Sequence, residues 1–240
     1  MIQKEPIEII YEDANIVVIN KPPNILVIPD QHTKEKETLV GILNKQLKQK
    51  MWVVHRIDRD TTGVLIFAKN AETHKFISMQ FEKSQVKKKY LALLSGVLED
   101  EEGIIDKPIL ISKREVSIDD SGKKSVTNFK VLERFKGYTF VQAQPQTGRR
   151  HQIRIHFWSL GHPLVIDAEY GSADPILLSS LKRKYKEKDG IKEKPLIDRL
   201  TLHAASLSLT LPGSAKMQTF DAPLPKDFEI TLKQLRKYYI

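Results

Sequence analysis

Two polar blocks in this chain carry side chains that can do chemistry. The first, His55-Arg56-Ile57-Asp58-Arg59-Asp60-Thr61-Thr62-Gly63, places two carboxylates among two arginines and a histidine, between the apolar runs Trp52–Val54 and Val64–Ala68. A neighbouring guanidinium keeps an aspartate ionised. Such a carboxylate suits nucleophilic attack or stabilisation of a cationic sugar, and makes a poor general acid. Residue types alone do not separate Asp58 from Asp60, and the same composition also fits a solvated hairpin loop closed by Gly63. The second block, Gln146-Thr147-Gly148-Arg149-Arg150-His151-Gln152-Ile153-Arg154-Ile155-His156, surrounds an expected helix start with three arginines. A helix N-terminus with guanidinium groups beside it is suited to anions. Thr147 is the expected cap, Gly148 permits a sharp lead-in, and Arg150 and Arg154 share a face if the helix begins early enough. A basic, solvated helix end has the same composition. Tyr90 follows Lys87-Lys88-Lys89, either as an edge aromatic with flanking charges or as a platform for a base.

Other chemistries lack their residues. With no cysteine there is no disulfide framework, thiolate nucleophile or thiolate zinc site. His151 and His156 are five apart, on different sides of a helix, with no H-E-x-x-H pattern, so we expect no metal. Neither a phosphate-binding glycine loop nor a G-x-S-x-G elbow occurs, so no nucleotide cofactor is expected. There is no apolar run of membrane-spanning length, and MIQKEPIEII lacks the layout of a signal peptide, so we expect a cytoplasmic protein without membrane contact. The net charge of +9 points to a polyanionic partner, of which nucleic acid is the commonest.

The elements that must position these blocks are short and mixed. Ile7–Ile10 and Ile16–Ile19 read as strands around the turn Glu12–Asn15. Lys21-Pro22-Pro23-Asn24 breaks regular structure, with Asn24 tolerating left-handed φ. Asp30–Lys36 reads as a loop and Thr38–Lys50 as a helix. Ala71–Phe81 reads as a helix and Lys89–Leu94 as a strand. Gly103–Ile111, Val116–Ile118, Val126–Glu133 and Tyr138–Ala143 alternate as strands. Gln152–Leu160 and the lysine-rich Ile176–Lys188 are helix candidates. Leu200–Leu211 reads as a long strand and Lys226–Tyr239 as a final helix. Strands and helices out of strict alternation predict an α+β fold with a largely antiparallel sheet, in one domain covering residues 1–240.

Together and in this order, the motifs resemble one family. His55–Gly63 is similar to the H-R-L-D-R-x-T-S-G signature of the RluA-type pseudouridine synthases, and Thr147–His156 to their T-G-R-x-H-Q-I-R-x-H signature. Asn20-Lys21-Pro22, Lys89-Tyr90, Gly161–Asp167 and Leu202-His203-Ala204 fall where that family has similar elements. Asn24 stands where the family usually has glycine, and Ile57 and Thr62 replace Leu and Ser. The resemblance implies a pseudouridine-synthase-like domain with a long, mainly antiparallel mixed sheet, flanking helices and a central cleft. It implies cofactor-free isomerisation of uridine in ribosomal or transfer RNA, with Asp58 as the catalytic carboxylate. Arg154 matches the arginine that pairs with that aspartate, and Tyr90 the tyrosine that packs on the uracil. His55 and Arg56 are placed to hold the target base out of its helix, with Arg59, Arg149, Arg150 and Lys21 as further RNA contacts. We expect no small RNA-binding S4-like domain ahead of the motifs. The lysine-rich segment Ile176–Lys188 and Lys192–Lys194 are candidates for added RNA contact or a solvated face. We expect a monomer. Two other readings remain open: a non-catalytic RNA-binding protein, and a nucleoside hydrolase pairing Asp58 with Asp60 or Asp167 as second acid.

Overall fold

The computed structural model describes residues 6–29, 37–112, 115–186 and 192–239. Among these the chain forms β1 (Glu8–Glu12), β2 (Ile16–Lys21), α1 (Leu39–Leu47), β3 (Trp52–Val53), β4 (Thr62–Ala68) and α2 (Ala71–Glu82). It continues with β5 (Lys87–Ser95), β6 (Glu102–Asp106), β7 (Ile109–Ile111), β8 (Val116–Ile118), β9 (Val126–Phe135) and β10 (Tyr138–Pro145). The last elements are α3 (Gln152–Trp158), α4 (Leu178–Leu181), β11 (Leu202–Thr210), β12 (Met217–Asp221) and α5 (Lys226–Tyr238). The class is α+β, with a mixed and mostly antiparallel sheet. The expected loop Asp30–Lys36 lies outside the described residues.

The contacts divide the chain into two compact units. The first comprises Met1–Tyr90 and His203–Pro223, the second Leu91–Leu202 and Leu224–Ile240. The division is not sequential, which is why no linker is visible in the composition.

In the first unit the strands run β1-β2-β4-β11, with β12 paired to β11 and β3 to β4. Both faces of β2 and β4 are covered, so the two strands read as unbroken apolar runs. Ile16, Val18, Val64 and Ile66 share a cluster with Ile77 of α2. Val17, Ile19, Leu65 and Phe67 pack with Leu39 and Leu43 of α1. Asn70 caps α2 by accepting from the Thr73 amide. β12 has no counterpart in the sequence reading, although Pro212-Gly213 before it is a turn signal.

At its start β4 lies between two strands, antiparallel to β2 with Gly63 opposite Lys21 and parallel to β11 with Gly63 opposite Ala204. Gly63 has φ of 110°, and a Cβ there would lie 2.1 Å from the Ala204 carbonyl oxygen. Only glycine fits. Gly63→Ala is expected to destabilise the fold by about 3–5 kcal/mol, from backbone strain and overpacking together. Urea unfolding measures this, and a loss below about 1 kcal/mol would show that the strands move apart freely.

In the second unit β9 and β10 form a hairpin closed by Gly137 at φ of 82°, and β6 lies antiparallel on β9. The core joins Phe228, Leu232 and Leu235 of α5 to Val165, Ile176, Leu181 and Ile197. Two expectations are corrected here. Gly103–Ile111 is not one strand. It breaks at Lys107-Pro108, and β7 leaves to pair with β8 in a separate two-stranded sheet. Ile176–Lys188 is not one helix either. Only Leu178–Leu181 is helical, and residues 182–186 are not. Ile176 bridges to Ile197, and the neighbouring cations Lys182, Arg183, Lys184 and Lys186 repel one another at helical spacing. Glu187 and Lys188, which end that stretch, lie outside the described residues.

Candidate functional site

The loop between β3 and β4 carries the first motif, and the turn after β2 grips it from behind. Lys21, the last residue of β2, is 0% exposed. Its ammonium donates to the carbonyls of Pro22 at 3.0 Å, Arg59 at 2.7 Å and Thr61 at 2.9 Å. Asn24 takes the left-handed φ of 61° expected of it, and the next amide, of Ile25, donates to the Arg59 carbonyl. The Thr61 amide donates to the Asp58 carbonyl, closing a turn around the aspartate. Thr62 donates to His203 Nδ1, while His203 Nε2 donates to the Ala222 carbonyl, so the base of β4 is tied to the end of β12. Arg56 and Arg59 are exposed or nearly so, and Asp58 and Asp60 are partly buried.

His55 faces inward. Its ring stacks on Phe81 with centroids 4.4 Å apart, and its Nε2 accepts from the Ile66 amide at 3.3 Å. Burial, then the positive charge of Lys88, pushes its pKa from 6.5 down to about 3. His55 is therefore neutral in the fold and carries its proton on Nδ1. The unfolded chain binds that proton below about 6.5, so the stability tied to His55 is present above that pH and is lost as pH falls toward 3. His55→Gln is expected to flatten the acid limb of stability by up to about 1.4 kcal/mol per pH unit. Urea titrations at pH 7 and pH 5 test it, and equal slopes in the two proteins would refute the assignment.

Tyr90 lies on β5. Burial, then the negative charge of Asp58, raises its pKa above the ordinary phenol value. It remains a neutral hydroxyl, suited to donating a hydrogen bond and offering a ring face, not to acting as a phenolate. Among the described residues, Asp58 is the acid that acts on Tyr90, a distinction from Asp60 that residue types alone do not make.

The second motif lies in the second unit, and its local structure differs from the expectation. The turn before α3 is made by His151, at φ of 55°, and Gly148 is not among the residues with positive φ. Thr147 does not occupy the cap position, which is His151, without a side-chain cap bond. Thr147 instead donates to Gln152 Oε1, which also accepts from the Arg149 amide. Gln152 Nε2 donates to the Val126 carbonyl and Thr127 Oγ1. One turn on, His156 lies between Thr127 Oγ1 and the Lys107 carbonyl, and burial lowers its pKa. Gln152 and His156 thus seat α3 on β9. Because α3 begins at Gln152, Arg150 precedes it and does not share a helix face with Arg154. Arg150 is exposed, while Arg149 Nε is buried without a hydrogen-bond partner.

Arg154 is 9% exposed. Its Nε and Nη2 each donate to Asp167 at 2.7 Å, and Nη2 also reaches Glu169 at 3.1 Å. Its guanidinium lies 5.1 Å from the centre of the Tyr170 ring, whose hydroxyl meets His151 Nδ1. Asp167 Oδ1 also accepts the Glu169 and Tyr170 amides. Ile166 just before it has φ of 58°, a costly conformation for a β-branched residue. With both oxygens engaged, Asp167 is ill suited as the second acid of a hydrolase. The sequence singles out neither Glu169 nor Tyr170. Their only signal is their place just beyond the Gly161–Asp167 stretch.

Residues 15–159 match the sequence family described as RNA pseudouridylate synthase, and the chain belongs to it, as an RluA-type member. Enzymes of this family are isomerases that act on RNA. Ribosomal large subunit pseudouridine synthase D of Nitrosomonas europaea is 35% identical over 96% of this chain and 66% of that protein. RNA pseudouridine synthase YlyB of Bacillus subtilis is 33% identical over 96% of the chain and 73% of that protein. The chain thus spans about two thirds to three quarters of such relatives. The solved structure of human RNA pseudouridylate synthase domain containing 4 superposes with a TM-score of 0.74 at 27% identity, covering 95% of this chain and 93% of that one. No helix among the described residues is long and apolar enough to cross a membrane.

Proposed function

We propose that the chain converts specific uridines of ribosomal or transfer RNA to pseudouridine, with ribosomal large-subunit RNA the first candidate because several relatives are named for it. In this reaction the N1–C1′ bond breaks, the uracil turns, and C5 bonds to C1′. C5 gives up its proton and N1 gains one, so electrons balance without a co-substrate. Asp58 is the catalytic carboxylate. It serves either of two routes: attack on C1′ to give a glycosyl ester, or removal of the C2′ proton. Tyr90 supplies a neutral ring and hydroxyl to the uracil. Arg154, fixed by Asp167 and Glu169, supplies the cation the chemistry uses. Arg56, Arg59 and Arg150, with Arg149, contact RNA, where a target base must leave its stack before it can react.

The observation that carries this reading is the loop of Asp58, tied down through the Arg59 and Thr61 carbonyls by a buried lysine; the negative charge of Asp58, after burial, also raises the Tyr90 pKa. The test is carbodiimide mapping of ribosomal and transfer RNA from cells that lack the protein. A reverse-transcription stop that disappears with the protein and returns with the wild-type gene is expected. Unchanged stops would leave the chain an RNA-binding protein without this activity.

A further inference from the structure

Among the described residues three buried side-chain polar atoms lack a hydrogen-bond partner: Thr61 Oγ1, Asn128 Oδ1 and Arg149 Nε. Asn128 and Arg149 are residues partly open to solvent, and each has other polar atoms. Thr61 is different. It is 1% exposed, and the hydroxyl is its only polar side-chain group. A buried hydroxyl without a partner is costly, and in a native fold such an atom marks strain, a hidden partner or a role in the reaction. The backbone on both sides of it is pinned. The Thr61 amide donates to the Asp58 carbonyl at 3.2 Å, and the Thr61 carbonyl accepts from Lys21 Nζ at 2.9 Å. One residue on, Thr62 Oγ1 is held 2.9 Å from His203 Nδ1, and Gly63 lies hard against Ala204. The hydroxyl therefore gains no partner by a shift of its own main chain. It gains one only from a side chain that turns toward it or from a bound molecule.

Asp58 is the side chain the turn brings closest to that task. The bond from the Thr61 amide to the Asp58 carbonyl makes residues 58–61 a tight turn, with Arg59 and Asp60 at its centre. The first and fourth residues of such a turn have their Cα atoms within about 7 Å of each other, which a hydroxyl and a carboxylate can bridge by side-chain rotation alone. A hydroxyl donates one bond. Given to one oxygen of a carboxylate, it fixes the plane of the group and leaves the second oxygen to react. A bond of this charge-assisted kind is shorter and stronger than one between neutral groups.

We propose that Thr61 is a positioning residue for Asp58: when the target uridine is seated, the Thr61 hydroxyl donates to one carboxylate oxygen of Asp58 and aims the other at the sugar. The inference rests on the isomerase reading above, and it holds for either route from Asp58, attack on C1′ or removal of the C2′ proton.

The experiment uses the full chain and a ribosomal RNA fragment that contains the modified uridine. Thr61→Val keeps the branched shape and removes the hydroxyl. Its single-turnover rate at saturating RNA, taken per RNA-binding molecule, is expected to fall about 10- to 100-fold, the worth of one hydrogen bond to a charged group. The half-saturating RNA concentration is expected to stay within about 2-fold of wild type, because the hydroxyl serves the reacting carboxylate and not the RNA grip. The urea midpoint is expected to stay level or rise, because a methyl replaces an unpaired buried hydroxyl. Rate and stability thus move in opposite senses, which a threonine that only supports the fold does not produce. Thr61→Ser keeps the donor and is expected to hold the rate within about 3-fold. The loss caused by Thr61→Val is expected to persist in an Asp60→Asn background. A loss that vanishes there would assign the hydroxyl to Asp60 and overturn the proposal. A lowered urea midpoint with an unchanged rate would assign it to the fold, and a raised half-saturating RNA concentration with an unchanged saturating rate would assign it to RNA; each overturns the proposal. Thr61→Val at the wild-type rate, beside a wild type that isomerises, overturns the positioning role and leaves the enzyme reading standing. A wild type that binds the RNA without isomerising it overturns both.

Discussion

Asp58→Asn is expected to reduce pseudouridine formation by about 10,000-fold or more, since the amide keeps the shape of the carboxylate but neither attacks C1′ nor removes a C2′ proton. The turn around it should survive, because the bond that closes it runs from the Thr61 amide to the Asp58 backbone carbonyl. RNA affinity should stay level or rise slightly, since the change removes a negative charge near a polyanion. A second readout follows from Tyr90. Its raised pKa has two causes, burial first and the Asp58 charge second. The variant removes only the second, so the phenol should titrate lower than in the wild type and still above an exposed tyrosine. Asp60→Asn is the control and should keep activity within about 10-fold, as a change outside the reacting group does. Single-turnover assays on a target RNA decide the matter. An active Asp58→Asn beside an inactive Asp60→Asn would move the chemistry to the other carboxylate.

Much of this architecture is legible in the sequence where local signals dominate. β2 and β4 are unbroken β-branched and apolar runs because both of their faces are covered. The tolerance of Asn24 for positive φ predicts a left-handed turn, and it is there. What escapes is set by partners distant along the chain. Thr147 and Gly148 look like a cap and a hinge, yet His151 takes the left-handed turn because Gln152 and His156 hold α3 against β9 from positions about 25 residues away or more. The helix expected over Ile176–Lys188 is cut to Leu178–Leu181, because its first residue is tied to Ile197, a partner that local sequence does not announce. His55 and Arg56 are neighbours with similar expected roles, and the fold separates them, turning one in onto Phe81 and the other out to solvent. The resemblance marks Arg154 as the arginine that pairs with Asp58, but that Asp167 and Glu169 also hold it is not visible in the sequence, because these acids lie beyond a strained turn at Ile166.

Lys21→Met is expected to be the most damaging change that leaves every reacting group in place. Methionine fills nearly the same volume but donates nothing, so the carbonyls of Pro22, Arg59 and Thr61 lose the donor that lies within 3.0 Å of each. A buried carbonyl left without a partner costs about 1–3 kcal/mol, and with partial relaxation the fold should lose about 3–5 kcal/mol. Lys21→Arg should rescue little, because a planar fork does not replace a compact ammonium among three converging carbonyls. The kinetic effect should fall on kcat. The loop that carries Asp58 would lose its hold at Arg59 and Thr61, and a carboxylate displaced by about 1 Å from its reacting geometry costs about 100-fold. The sequence resemblance makes Lys21 an RNA contact instead, and the salt dependence of RNA binding separates the two roles. An ammonium that is 0% exposed neutralises no phosphate, so the slope of log K against log salt should match the wild type. A slope reduced by about one, with kcat and stability near wild-type values, would mean that Lys21 leaves its carbonyls to bind RNA.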